Sequence, residues 1–134
     1  MLPGAAAADA RVTRADGRDG WLLREIGSGF TALVGADGAT EHALAGVAVG
    51  DFALAVVAVA PADARAPEPA PAPARATLVD IDGAVAGRYD LRAGTVVLLR
   101  PDAHVCARWR AATPAQVECA MRRALALEEP TRCR

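Results

Sequence analysis

The chain contains no lysine and few aromatic residues, and both absences narrow the classes of partner. Its 15 basic residues are all arginines, and 16 acidic residues bring the net charge to −1 over 134 residues. This balance gives no basic field for binding a phosphate backbone. Aromatic residues, at 4% of the chain, are too few for a platform on which bases stack. We therefore expect no nucleic-acid partner.

Cysteine is also scarce, and its spacing excludes the common cysteine sites. Cys106, Cys119 and Cys133 contain no CxxC pair and are too widely spaced for a disulfide framework. His42 and His104 do not add the closely spaced ligand pairs that zinc requires. The sequence therefore predicts no metal site, three free thiols and a reducing, cytoplasmic compartment.

Long apolar runs are absent as well. Residues 43–60 are nearly uncharged, but Gly50 and Asp51 interrupt them, and a central Asp costs about 2.5–3.5 kcal/mol on membrane-insertion scales. We expect two short buried elements joined by a turn at residues 49–51. The N-terminus lacks the charged and apolar regions of a signal peptide. No membrane association is predicted.

Hydrophobic residues nonetheless make up 53% of the chain, which indicates one packed domain. We expect a flexible leader over residues 1–19, a single domain over 20–129 and a tail over 130–134. Prolines alternate with other residues inside 61–75, which predicts an extended surface loop. Such a loop is a linker more often than a ligand for an SH3-type groove.

Apolar periodicity predicts an alternation of helices and strands. In order, we expect a helix over residues 21–26, a strand over 30–34, a short helix over 40–45, a strand over 52–59, renewed order from 76, a helix ending at Tyr89, a hairpin of strands 95–100 and 104–109, and a last helix. Thr113, Pro114 and Gln116 give this helix a capping box and a proline at its first position. The order is that of thioredoxin: an α/β fold with a mixed central sheet flanked by helices.

The redox motif of that fold is missing. Dithiol chemistry needs a low-pKa thiolate at a helix N-terminus and a second cysteine three residues on. The loop after the first central strand, residues 35–38, contains no sulfur, and Gly94 stands where the cis-proline of a thioredoxin would be. We predict a thioredoxin-like fold without the CxxC motif and without dithiol activity.

Few other residues are candidates for chemistry. Cys106 is interpreted first as a small residue that fills a strand position. In the alternative, Arg108, two residues on and on the same face, lowers the pKa of a reactive Cys106 thiol. His104 fits a hydrogen bond that closes a turn with Asp102. Residues 27–29 lack the third glycine and the preceding strand of a dinucleotide loop. We predict no catalytic or cofactor-binding residue in this chain.

Residues 100–110 contain the most specific motif. Their sequence, R-P-D-A-H-V-C-A-R-W-R, resembles the R-P-D-x-H-V-x-x-R-W hairpin near the C-terminus of flavin-dependent aromatic hydroxylases. The resemblance is closest to the 3-(3-hydroxyphenyl)propionate and phenol hydroxylase type. Residues 16–23 and 27–34 are similar to other segments of the terminal domain in that family.

The resemblance implies a terminal thioredoxin-like domain that binds no flavin. In the family, FAD and NAD(P)H serve the upstream portion, which hydroxylates a phenolic substrate. The implied role here is a non-catalytic accessory or oligomerisation domain, whose partner is the FAD-binding portion of a hydroxylase or a second copy. Trp21, Phe30 and Trp109 are the candidate interface residues. The alternative function is a stand-alone thiol redox protein that uses Cys106 as its reactive thiol.

Overall fold

The structure is a computed structural model that describes residues 2–63 and 76–126. Its elements are β1 (Arg11–Thr13), β2 (Asp19–Trp21), α1 (Leu22–Glu25), β3 (Thr31–Gly35), α2 (Ala39–Leu44), β4 (Ala48–Val49), β5 (Phe52–Ala53), β6 (Ala55–Ala60), β7 (Ala76–Asp80), α3 (Ala84–Tyr89), β8 (Val96–Leu99), β9 (Val105–Trp109) and α4 (Pro114–Ala124). Most of the predicted loop over 61–75, from residue 64 on, and the predicted tail over 130–134 lie outside the described residues. Within the described ranges, no helix is long and apolar enough to span a bilayer.

A seven-stranded mixed sheet forms the centre of the molecule. Its order is β2-β1-β7-β6-β3-β8-β9. The central strand β3 pairs in parallel with β6 and antiparallel with β8, and all five of its residues are buried. A strand covered on both faces needs a continuous apolar sequence rather than an alternating one, which explains the run from Thr31 to Gly35. The predicted mixed sheet flanked by helices is confirmed.

Two apolar cores lie on opposite faces of this sheet. One contains Leu22, Leu33, Val85 and Tyr89 and lies beneath α1 and α3. The other lies beneath α2 and α4 and includes Leu44, Leu98, Val117 and Met121. The last helix begins as predicted, because the hydroxyl of Thr113 accepts from the amide of Gln116 and the side chain of Gln116 accepts from the amide of Thr113.

The prediction of a flexible leader over residues 1–19 is wrong. Strand β1 pairs antiparallel with β7 inside the sheet, and Val12 is completely buried. Ahead of it, residues 4–10 form what we call the N-terminal strap. The strap was missed because its order comes from backbone hydrogen bonds and small alanine side chains, which leave no periodic pattern in the sequence.

The strap crosses the face that carries α3, from β9 at one edge of the sheet to β1 near the other. At the β9 end, the amide of Ala7 donates to the carbonyl of Ala103 at 2.7 Å, and the amide of Val105 donates to Ala5 at 2.8 Å. In the middle, the hydroxyl of Tyr89 donates to the carbonyl of Ala8 at 2.6 Å. The strap therefore ties the start of the chain to its last strand.

Two smaller predictions also need correction. The strand expected over residues 52–59 is divided: β5 pairs with β4 in a separate hairpin, and β6 enters the central sheet. The hairpin turns at Gly50 and Asp51, where the sequence predicted a turn. The helix expected over 21–26 is a single turn at Leu22–Glu25, since Ile26 already has an extended backbone.

Candidate functional site

The loop between β3 and α2 occupies the position of a thioredoxin redox site. Gly38 is the residue that caps α2, and Glu41 follows three residues later. A dithiol site would have its attacking thiol at the first of these positions and its second thiol at the other. The structure places a glycine without a side chain and a carboxylate that is only 7% exposed there. The loop cannot carry out dithiol exchange.

Polar groups of this loop serve the start of the helix. The carboxylate of Asp37 accepts from the amide of Thr40 at 2.7 Å and from its hydroxyl at 2.8 Å. In return, the carboxylate of Glu41 accepts from the amide of Asp37 at 3.2 Å. Gly38 itself provides no side-chain cap, so Asp37, one residue ahead of it, satisfies the amide of Thr40, which the short helix α2 would otherwise leave unpaired.

The two carboxyl groups are shifted in opposite directions. Burial raises the pKa of Glu41, and the nearby Asp37 adds to the effect. Burial also acts to raise the pKa of Asp37, but hydrogen bonds from Thr40 outweigh it and hold that pKa below its usual value. Both shifts follow from contacts inside the loop.

Residues 92–95 lie against the end of β3 and are joined to it by backbone hydrogen bonds. The amide of Gly94 donates to the carbonyl of Gly35 at 2.9 Å, and the amide of Gly35 donates to Thr95 at 3.0 Å. A Cβ at Gly35 would lie 1.8 Å from the carbonyl oxygen of Arg92, so only glycine allows this approach. None of the described peptide bonds is cis. The amide of Gly94 and the carbonyl of Thr95 are therefore already engaged within the fold.

Cys106 does not have the environment of a reactive thiol. The pairing of β8 with β9 shifts between Leu98 and Leu99, which leaves Cys106 as an extra residue in a β-bulge. The bulge turns Cys106 towards α4, where its thiol donates to the carbonyl of Ala120 at 3.8 Å. Burial raises the thiol pKa.

Because of the bulge, Arg108 points to the opposite face of the sheet from Cys106. The alternative in which Arg108 lowers the thiol pKa is wrong for that reason, whereas the favoured interpretation, a residue that fills a strand position, agrees with the packing of Cys106 against α4. The expectation of three free thiols is also wrong, since Cys119 is disulfide-bonded; Cys106 is free.

The candidate interface residues do not form one surface. Trp21 lies on β2 at one edge of the sheet and is 46% exposed, whereas Trp109 lies half-buried on β9 at the other edge. Phe30 is 2% exposed and belongs to the core, where its ring meets Phe52 edge-on with the ring centroids 6.2 Å apart. Of the three, Trp21 is the one with a large free surface.

The remaining polar candidates have local roles. His104 donates its amide to the carboxylate of Asp102 at 3.2 Å and closes the turn before β9, as predicted. The neighbouring Arg100 lowers the pKa of Asp102 to about 2. Asp80 accepts from two amides at the start of α3. Among the described residues, no group of three or more His, Cys, Asp and Glu side chains could hold a metal ion.

One cluster was missed at the sequence level. Asp90 ends α3 with a positive φ of 48°, and the side chains of Arg108 and Arg110 both reach it. Arg108 donates to its carbonyl at 3.2 Å, and Arg110 pairs with its carboxylate. Arg110, with Arg108 and Arg92, holds the pKa of Asp90 below its usual value. The spacing of Arg108 and Arg110 at alternate strand positions was the signal that could have revealed the cluster.

Comparison with known proteins identifies the family. The family model described as the HcaD C-terminal domain matches residues 4–124. The chain belongs to the HcaD C-terminal domain family. No curated protein sequence matches the chain.

Two solved structures of larger flavin-dependent enzymes contain a region that is similar to this chain. The flavin-dependent monooxygenase PieE, determined with FAD and substrate, matches 95% of the chain at 24% identity and a TM-score of 0.67. Aklavinone-11 hydroxylase, determined with FAD and aklavinone, matches 92% at 23% identity and a TM-score of 0.69. The chain spans only 20% and 21% of these two proteins. The predicted resemblance to the C-terminal region of FAD-dependent monooxygenases is confirmed.

The thioredoxin-like architecture is confirmed by other structures. The thioredoxin domain of a thiol-disulfide oxidoreductase from Bacteroides vulgatus matches 92% of the chain, and 98% of its own length is covered, with a TM-score of 0.62. The identity is 11%, so this similarity concerns the fold alone. The chain shares the architecture of such redox domains but has Gly38 and Glu41 at the positions that would hold the thiols.

Proposed function

We propose that the chain is a non-catalytic, thioredoxin-like accessory domain of an FAD-dependent aromatic-ring monooxygenase. The parent activity would be NAD(P)H-dependent hydroxylation of a phenolic substrate. The match of residues 4–124 to the HcaD C-terminal domain family is the observation that supports this most strongly. The sulfur-free loop between β3 and α2 supports the non-catalytic part of the proposal.

In this proposal, FAD and NAD(P)H bind to the part of the monooxygenase that lies outside this chain. The glycine-containing segment 27–29 precedes β3 instead of joining a strand to a helix, whereas a dinucleotide-binding loop needs a strand before it and a helix N-terminus after it. Residues 27–29 therefore do not fit the phosphates of FAD or NAD(P)H, and we assign this chain no step in their chemistry.

The partner would be the FAD-binding portion of the hydroxylase, or a second copy of the chain. Trp21 supports such an interface, because a large side chain that is 46% exposed on an edge strand gains most by becoming covered. The alternative, a thiol redox protein that uses Cys106, is disfavoured by the raised thiol pKa and by the packing of the thiol against α4.

The test is affinity purification of the tagged chain from its native lysate, read by the flavin absorbance of the eluate. We expect a yellow protein to co-elute and to be reduced in amount for Trp21→Ser. A matched control is Leu2→Ser, which removes an apolar side chain that is 77% exposed but lies outside the sheet. A colourless eluate in which the chain is a monomer would contradict the proposal.

A further inference from the structure

Within the described part of the chain, the outer edge of β9 has no strand partner beyond its first residue. The N-terminal strap pairs with residues 103–105, through Gly4, Ala5 and Ala7. Beyond Val105, no strand in residues 2–63 or 76–126 pairs with this side of β9, which is the last strand of the sheet. Unpaired backbone groups along such an edge are a template for another strand.

Basic side chains lie beside this open edge. Arg108 pairs with Val97 in the register of the sheet, and Val97 belongs to the core beneath α3. Since side chains two residues apart share a face, Arg108 and Arg110 both lie on the α3 side, next to the exposed Arg92. We call these three residues the arginine cluster.

The arginine cluster carries three positive charges around the single carboxylate of Asp90. Among the described residues, Asp90 is the carboxylate that pairs with Arg108 and Arg110. The main-chain carbonyl of Asp90, at the end of α3, accepts hydrogen bonds from both Arg108 and Arg110. Its partial negative charge offsets part of the positive charge of the second guanidinium. Arg110 remains 57% exposed, so its guanidinium has donors available for a second acceptor.

We propose that an extended segment of a partner protein, with acidic residues at alternate positions, adds a strand to the open edge of β9 and pairs with Arg92, Arg108 and Arg110. Main-chain hydrogen bonds to those backbone groups of β9 that face away from β8 would supply affinity, and the period of two along a strand would supply specificity. Arginine–carboxylate pairs favour this chemistry, because a guanidinium can bind both oxygens of a carboxylate. The inference goes beyond the proposed function and does not depend on flavin.

Asp90 would act as an internal competitor for the arriving carboxylates. It occupies Arg110 and approaches Arg108 at 3.5 Å. Its backbone lies in the left-handed region at φ 48°, which asparagine adopts more readily than most residues. Asp90→Asn therefore removes the negative charge while it preserves the turn.

The experiment is an NMR titration of the full isotope-labelled chain with a synthetic peptide that alternates threonine and glutamate. We expect amide shifts to concentrate at residues 106–110 and binding to weaken as salt is added. The double variant Arg92→Gln/Arg110→Gln should bind at least about tenfold more weakly, because it removes two charge-assisted pairs. Arg11→Gln/Arg18→Gln, at the opposite edge of the sheet, is the matched control and should bind like the wild type.

Asp90→Asn provides the sharper test, because it should raise the affinity for the glutamate peptide several-fold. A purely structural role for Asp90 would instead leave the affinity unchanged or lower it, and either result would overturn the proposal. Two further results would overturn the proposal. One is equally strong binding of a peptide whose threonines are replaced by proline. The other is displacement of the peptide by millimolar inorganic phosphate, which would indicate a site for free anions. These outcomes are independent of whether a flavoprotein co-elutes with the chain.

Discussion

The hydrogen bond from Tyr89 to the N-terminal strap gives a quantitative prediction at alkaline pH. The ring is completely buried beneath the strap, and its hydroxyl donates to the carbonyl of Ala8. Burial raises the pKa of Tyr89 to about 12, compared with about 10 for an exposed tyrosine. Folding therefore favours the protonated phenol.

The sign and size of the effect follow from this difference. Because the folded-state pKa is raised, the contribution to stability is complete below pH 10 and is lost as the pH rises towards 12. Two pKa units correspond to roughly 2.7 kcal/mol at the upper limit, and about half of this, roughly 1.4 kcal/mol, should be lost by pH 11. Tyr89→Phe should cost about 1–2 kcal/mol at neutral pH, because it leaves the carbonyl of Ala8 without its donor.

The assay is urea denaturation of the wild type and Tyr89→Phe between pH 8 and pH 11. The stability difference between the two proteins should shrink by about 1.4 kcal/mol over this range, whereas Ser28→Ala, which removes an exposed hydroxyl, should run parallel to the wild type. Tyr89 is the only tyrosine in the chain, so phenolate absorbance reports its titration directly. A phenol that titrates near pH 10, or a constant stability difference, would refute the reasoning.

Four further outcomes are expected. Thr31→Val should stabilise the fold by about 1 kcal/mol in thermal unfolding, since the Thr31 hydroxyl is buried and has no hydrogen-bond partner in the described part of the chain; a loss of stability would show that the hydroxyl is satisfied. Gly87→Ala should add about 0.5–1 kcal/mol, because Gly87 lies in α3 with open space around its Cβ position; no gain would point to compensation in the unfolded chain. Gly35→Ala should cost roughly 3 kcal/mol, given the overlap with Arg92; a stable variant would mean that the loop moves freely. Alkylation of Cys106, followed by peptide mass spectrometry, should be slower at neutral pH than that of an unfolded control peptide, because its pKa is raised; faster alkylation would revive the thiol redox alternative.

Elements with local signals were predictable from the sequence. The capping residues of α4 act within one helical turn of each other, and the apolar run of β3 reflects burial on both faces. The absence of a dithiol site could also be predicted from the sequence, since a redox loop requires two cysteines at defined positions. The motif that includes His104 and Trp109 also identified the family, because its residues are contiguous in the chain.

Features that depend on distant pairing could not be predicted. The face to which Cys106 points is decided by a one-residue shift in the pairing of β8 with β9, and nothing adjacent in the sequence marks that shift. The burial of Glu41 depends on its bond to the amide of Asp37 and on the packing of α2 over the sheet. Similarly, the arginine cluster forms only when α3 ends beside β9.

The N-terminal strap also has a consequence for the order of events during protein synthesis. The amide of Gly4 donates to the carbonyl of Val105, about 100 residues later in the chain. While the ribosome is still producing β8 and β9, the first residues have no partner, even though β3 and β6 can already pair. Contacts of such long sequence separation slow folding because the chain must close a large loop before they form. The strap is therefore expected to dock among the last steps, after the final hairpin has left the ribosome.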